Sequence, residues 1–171
     1  ESYIGPIDRE RFPNGFRSLS DSLKKLDMGL LVWTAVEYQG RQSWMQQQRG
    51  ELFLKLKDTT IDQNNPRLQI LNFADKDARA FLTDYISTLV QKEGIAIYRQ
   101  DGPIGANLKY AQKQPLHWWR DNDAPDRKGI TEIRYVEGLY AFWDEIVRRN
   151  PGLIIDMCGG GATRIDLEAM S

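Results

Sequence analysis

Apolar and polar positions recur along this chain with two periods, and the change from one to the other divides it into helices and strands. After the turn signal Pro13-Asn14-Gly15, the residues Phe16, Leu19, Leu23 and Leu26 fall three or four positions apart. They predict a helix with one apolar face and Ser18 or Ser20 as its N-cap. The run Met28-Gly29-Leu30-Leu31-Val32-Trp33 shows no alternation, as expected of a parallel strand covered on both faces. From 75 to 92 the positions Ala78, Phe81, Leu82, Tyr85, Ile86, Leu89 and Val90 keep a helical spacing, with Asp75 placed to cap it and Gly94 to stop it. Ile95-Ala96-Ile97-Tyr98 reads as a second buried strand. A helix over 131–149 carries Ile133, Val136, Tyr140, Trp143 and Val147 on one stripe and ends at Asn150-Pro151-Gly152. Leu153-Ile154-Ile155-Asp156-Met157-Cys158 forms the third strand, followed by Gly159-Gly160-Gly161.

Two stretches interrupt this order. Residues 38–73 form a less regular insert, with a loop or short helix over 39–48, short strands over 51–57 and 68–73, and a loop at Asp62-Gln63-Asn64-Asn65-Pro66. Residues 102–130 form a long loop without helical spacing that contains Trp118-Trp119, and loops of that length in a compact domain are usually functional. The alternation of helix and strand defines an α/β fold in a single domain spanning 1–171, either a doubly wound sheet or part of a (β/α) barrel.

Composition narrows the chemistry. Lys and Arg number 23 against 24 Asp and Glu, so no charge excess draws the chain to nucleic acid. One cysteine and one histidine exclude a disulfide framework, a cysteine-built zinc site and a histidine metal triad. The expectation is no metal and no cofactor. No apolar run reaches the roughly 18 residues of a membrane span, and no signal peptide opens the chain. It reads as soluble with no membrane partner, its compartment open and the cytoplasm favoured. A first residue Glu1 and a last residue Ser171 suit a piece of something larger.

In parallel β/α folds the reactive groups gather where strands end. Those positions are Trp33 and Glu37 after the first strand, Arg99, Gln100 and Asp101 after the second, and Cys158, the glycine run and Arg164 after the third. A carboxylate, a guanidinium and an indole would then converge on one cleft. Each residue also has a plainer reading. Asp101 suits a turn, Trp33 a core, Cys158 a small buried hydrophobe and Arg99 an ion pair with a neighbouring acid. The Gly159–Gly161 loop suits phosphate or nucleotide binding on backbone N–H groups, although no Lys-Ser/Thr follows it. His117, beside the two tryptophans, suits packing or surface.

Three stretches in order resemble the family 36 glycoside hydrolases, the melibiase or α-galactosidase group. Arg11-Phe12-Pro13-Asn14-Gly15-Phe16 through Leu31-Val32-Trp33 is similar to the family's FPNGL…KFGLW stretch, whose tryptophan lines the sugar pocket. Ile95-Ala96-Ile97-Tyr98-Arg99-Gln100-Asp101 is similar to the strand ending in the catalytic nucleophile. Cys158-Gly159-Gly160-Gly161-Ala162-Thr163-Arg164-Ile165-Asp166 is similar to the family's CSGGGGRFD run. The segment from Trp119 to Arg127 also resembles a subgroup of these enzymes.

The resemblance implies a segment of an eight-stranded (β/α) barrel and an α-galactoside-type substrate. It places the nucleophile at Asp101, a sugar-binding cation at Arg99 where the family carries lysine, and Trp33, Cys158, Gly160 and Arg164 around the sugar. The sequence departs from the family after Trp33, where Thr34-Ala35-Val36-Glu37 replaces Phe-Glu-Pro-Glu, and after Asp101, where Gly102-Pro103 stands. The family's general acid/base lies on a strand beyond the glycine run. The chain by itself is therefore expected to hydrolyse weakly or not at all, and its open sheet to self-associate as a dimer or higher assembly. A non-catalytic, self-associating half-barrel and a phosphate-binding β/α domain are the alternative readings.

Overall fold

The computed structural model describes residues 4–40, 42–57, 69–101, 114–158 and 166–170, with the backbone alone at 114–117. Its helices are Arg17–Lys24 (α1), Trp44–Arg49 (α2), Lys76–Glu93 (α3), Gln114–Asn122 (α4) and Ile130–Arg149 (α5). The strands are Leu31–Thr34 (β1), Tyr38–Gln39 (β2), Gln69–Ile70 (β3), Ile97–Asp101 (β4) and Ile154–Cys158 (β5). β1, β4 and β5 lie side by side in that order, all parallel, while β2 and β3 form a separate antiparallel pair. Each strand of the parallel sheet sits beside the one before it, the order found in a barrel wall.

Alternation along the strands separates two faces. Thr34, Tyr98 and Gln100 are buried beneath α3 and α5, whereas Leu31 and Trp33 are each 42% exposed and Ile154 is 59% exposed on the opposite face. A sheet covered on both faces was the expectation from the apolar runs; the described residues cover one. The covered side holds the core, in which Leu82 and Ile86 of α3 meet Phe142 and Ile146 of α5, all fully buried. Each such side chain contributes about 1.5–3 kcal/mol by leaving water. Phe73 joins the two helices, with its ring edge-on to Tyr135 at 5.4 Å and to Phe142 at 5.5 Å.

Gly138 lets α5 pass directly over this junction: a Cβ there would lie 2.0 Å from the Phe73 carbonyl oxygen. The same oxygen accepts a hydrogen bond from Arg79 Nη1 at 2.5 Å.

Local signals explain the helix ends. Asp75 Oδ1 accepts from the backbone N–H groups of Asp77 and Ala78, and Gly94 closes α3 at φ 70°, in the left-handed region that glycine enters without penalty. α1 differs from expectation. Neither serine caps it; Phe16 occupies the cap position, and the Glu93 carboxylate at the end of α3 accepts from the N–H groups of Phe16 and Arg17 at 2.5 and 3.1 Å. An acceptor supplied by another helix satisfies the orphan donors as well as a local serine would. Ser20 instead donates to the Gly94 carbonyl at 2.5 Å, so α1 is held to the end of α3.

The segment 102–130 is not loop throughout, since α4 occupies Gln114–Asn122 within it. Its two tryptophans lie adjacent in sequence and are both buried, which removes the single apolar face on which a helical period depends. Asn122 brackets residue 55, donating to its carbonyl at 2.8 Å and accepting from its N–H at 3.4 Å, and Asp121 accepts from the N–H of Lys57 at 2.7 Å. Beyond α4, Asp123 accepts from Gly129 and Thr131 at 2.7 and 2.9 Å, which starts α5 and holds the Asp123 carboxyl below the usual carboxylate range. In the insert, 50–52 is a 3-10 turn, and Phe53 bridges Leu71 rather than starting a longer strand.

Candidate functional site

Register brings the candidate site residues into rows on the open face. Trp33, Arg99 and Asp156 are partners across β1, β4 and β5, and one alternation further on Asp101 partners Cys158. In a parallel sheet such partners project to the same side. Trp33, Arg99, Asp101 and Cys158 therefore share one surface at the C-terminal ends of the strands, where the sequence placed them. Below them Leu31, Ile97 and Ile154 form an apolar row. The face thus grades from an apolar floor to a polar rim.

Arg99 and Asp156 form an ion pair, with Nη1 donating to Asp156 Oδ2 at 2.5 Å. Asp156 is the main cause of the raised Arg99 pKa, and Cys158 adds to it, so the guanidinium is held firmly in its charged form. Pairing of Arg99 with a neighbouring acid, the plainer reading of that residue, is what the geometry shows. Cys158, the one cysteine of the chain, is half-buried and free of any internal disulfide.

Glu37 does not join this row. It is fully buried on the covered side, where its carboxyl accepts from Gln100 Nε2 at 3.1 Å and from the Tyr135 hydroxyl at 2.8 Å. Gln100 Oε1 in turn accepts from Trp143 Nε1 at 2.9 Å. Gln100 stands between Arg99 and Asp101 and points away from both, because adjacent strand residues face opposite sides. Its amide is held at both ends, which fixes β4 in the orientation that presents Arg99 and Asp101 to the open face. Nearby, the Thr34 hydroxyl donates to the Tyr98 oxygen at 3.0 Å, and burial pushes the Tyr98 phenol up.

Gly160 and Arg164, with the whole of Gly159–Gly161, lie outside the described residues, as does the side chain of His117. Sequence reasoning missed Asp156. The available signal was its position two residues before Cys158 on a strand, which puts both on one face once the strand is recognised. The partnership with Arg99 depends on register and had no local signature. Among the described residues no group of three or more His, Cys, Asp or Glu side chains is arranged to hold a metal, and no helix is long and apolar enough to cross a membrane.

A parallel sheet of sequential neighbours, with its core on one side and polar strand ends on the other, defines this chain as a segment of a TIM-type (β/α) barrel. Solved structures agree: the chain superposes on the family 36 α-galactosidase AgaA of Geobacillus stearothermophilus, determined with stachyose, at a TM-score of 0.76 and 19% identity, covering 97% of this chain and 22% of that one. The α-galactosidase of Lactobacillus brevis gives 0.74 at 17% identity, covering 95% and 21%.

The Melibiase family model matches residues 5–171, and the chain belongs to that family of glycoside hydrolases. Among curated relatives, alpha-galactosidase AgaA of Geobacillus stearothermophilus is 25% identical over 166 residues and Alpha-galactosidase 2 of Pediococcus pentosaceus is 26% identical over 160. Each alignment takes in 94% of this chain and 21% of the relative, so the chain spans about a fifth of their length.

Proposed function

We propose that this chain carries the nucleophile side of an α-galactoside-cleaving barrel. In this reading Asp101 attacks the anomeric carbon, Arg99 hydrogen-bonds sugar hydroxyls, and Trp33 stacks on or borders the ring. Cys158, Gly160 and Arg164 complete the pocket lining. The observation that carries the reading is the shared open face of Trp33, Arg99, Asp101 and Cys158, set by strand register. The names of its relatives support the substrate class, since one solved AgaA structure holds stachyose and another raffinose.

Retaining hydrolysis uses two carboxyl groups about 5–5.5 Å apart, one as nucleophile and one to protonate the leaving oxygen. Among the described residues the other carboxyl on this face is Asp156, which is engaged with Arg99 and lies below the Asp101 row. General-acid assistance is worth roughly 10²–10⁴-fold, so the chain alone should turn over an α-galactoside weakly or not at all. The test is a galactose titration followed by amide and indole NMR signals, run beside a chromogenic α-galactoside assay. Shifts at Trp33, Arg99 and Asp101, lost in Asp101→Ala, with little or no turnover, are the expected result. Absence of shifts in this row would overturn the sugar reading.

A second reading, a self-associating half-barrel, is favoured by the exposure of Leu31, Trp33 and Ile154 on the face that a barrel encloses.

A further inference from the structure

Arg99 stands between two carboxylates. Asp101 is two residues along the same strand and on the same face, about 6.6 Å further on at strand rise. Asp156 is its direct register partner on β5. The arginine side chain is long enough to engage either, and its fork of donors suits both equally. The guanidinium is bonded to Asp156, through Nη1 to Oδ2 at 2.5 Å, and among the described residues it makes no ion pair with Asp101. Among the described residues of the sheet, the charged and titratable groups that face Asp101 are Arg99 from its own strand and Asp156 and Cys158 from β5, while β1 supplies Trp33 and no charge.

We infer that Asp156 is a positioning residue that holds the Arg99 guanidinium down the sheet, so that the Asp101 carboxylate stays clear of an internal ion pair. The row then carries one cation and two anions, with the cation committed to the lower anion. Asp101 keeps its lone pairs for an incoming group, while the remaining N–H groups of Arg99 stay in a fixed place beside it. Released from Asp156, the guanidinium would swing towards Asp101, and the pair would neutralise the carboxylate. This deepens the reading of Asp101 as nucleophile and rests on it for its meaning, but the charge arrangement is testable without sugar.

The experiment is a carboxyl-carbon NMR titration of Asp101 in the chain as it is and in Asp156→Asn, with an amide spectrum to confirm that each variant is folded. The expected result is a fall in the Asp101 midpoint of about 1 pH unit or more in Asp156→Asn, the effect of a newly adjacent cation. Read against Arg99→Gln alone, which separates loss of the Asp156 anion from movement of the guanidinium, the fall should shrink to a small fraction in Asp156→Asn/Arg99→Gln, and it should be absent in Asp156→Glu, which restores the carboxylate. An unchanged Asp101 midpoint in folded Asp156→Asn would overturn the inference, and so would a fall that persists undiminished after Arg99 is removed. Galactose, added afterwards to the same samples, tests the sugar reading separately: a chain that shows the Asp101 fall but no sugar-induced shifts retains this charge arrangement and loses that reading.

Discussion

Gln100 shows how one side chain governs its neighbours without touching what they touch. Its amide donates to Glu37 and accepts from Trp143, both buried. Replacing it with leucine, of similar volume, would leave the Trp143 N–H and one Glu37 oxygen without these partners. A buried polar group that loses its partner costs about 1–3 kcal/mol, more for a charged one. Gln100→Leu should therefore lower stability by about 2–4 kcal/mol, read as a fall in the urea midpoint. Asp101→Asn, one residue away on the open face, should stay within about 0.5 kcal/mol of the parent, as surface changes do. The contrast between adjacent positions is the measurement; equal losses at both would mean that the two faces are not separated in energy. The sequence marked Gln100 as a strand-end residue beside the chemistry, but not as a clamp, because its partners Glu37 and Trp143 are 63 and 43 residues away.

At the scale of elements, α3 was legible almost to the residue, since its cap, its apolar spacing and its glycine stop all point to one helix. α5 was legible as a helix but not in its orientation. Of the stripe Ile133, Val136, Tyr140, Trp143 and Val147, Trp143 is buried and Tyr140 half-buried, yet Ile133, Val136 and Val147 are exposed, while Tyr135, Leu139, Phe142 and Ile146 join Trp143 on the buried side. The helix is apolar around much of its circumference, so periodicity alone offers two faces, and contact with Phe73 and α3 selects one. Gly138 belongs to the buried side, where a Cβ would come 2.0 Å from a backbone carbonyl. Alanine would favour the helix intrinsically by about 1 kcal/mol. The clash is with main chain that cannot rotate away, and overpacking of this kind costs about 1–3 kcal/mol or more. Gly138→Ala should therefore be net destabilising, measured as a lower melting temperature; a rise would show that α5 shifts freely over Phe73.

At the scale of the molecule, the parallel sheet has two outer strands and one face that the described residues leave uncovered. β1 and β5 each pair on one side only among the described residues, and unpaired edges beside exposed apolar side chains are surfaces that recruit strands. Light scattering coupled to sizing should find a dimer or larger species. A sharp monomer with cooperative melting would remove the self-associating half-barrel. The barrel class was legible through the resemblance of three ordered motifs to the family 36 enzymes, whereas the alternation of apolar strands with helices left a doubly wound sheet open. The unequal treatment of the sheet's two faces was not, since a strand in a barrel wall and one in a doubly wound sheet are equally apolar.

That inequality has a consequence for how such a module changes over generations. On β4 the residues Ile97, Arg99 and Asp101 face outward from the core while Tyr98 and Gln100 anchor it, and on β5 the outward set is Ile154, Asp156 and Cys158. In the proposed reading, recognition and architecture are thus written in alternate letters of the same words. A lineage can revise what the rim binds by editing one set while the other keeps the wall standing.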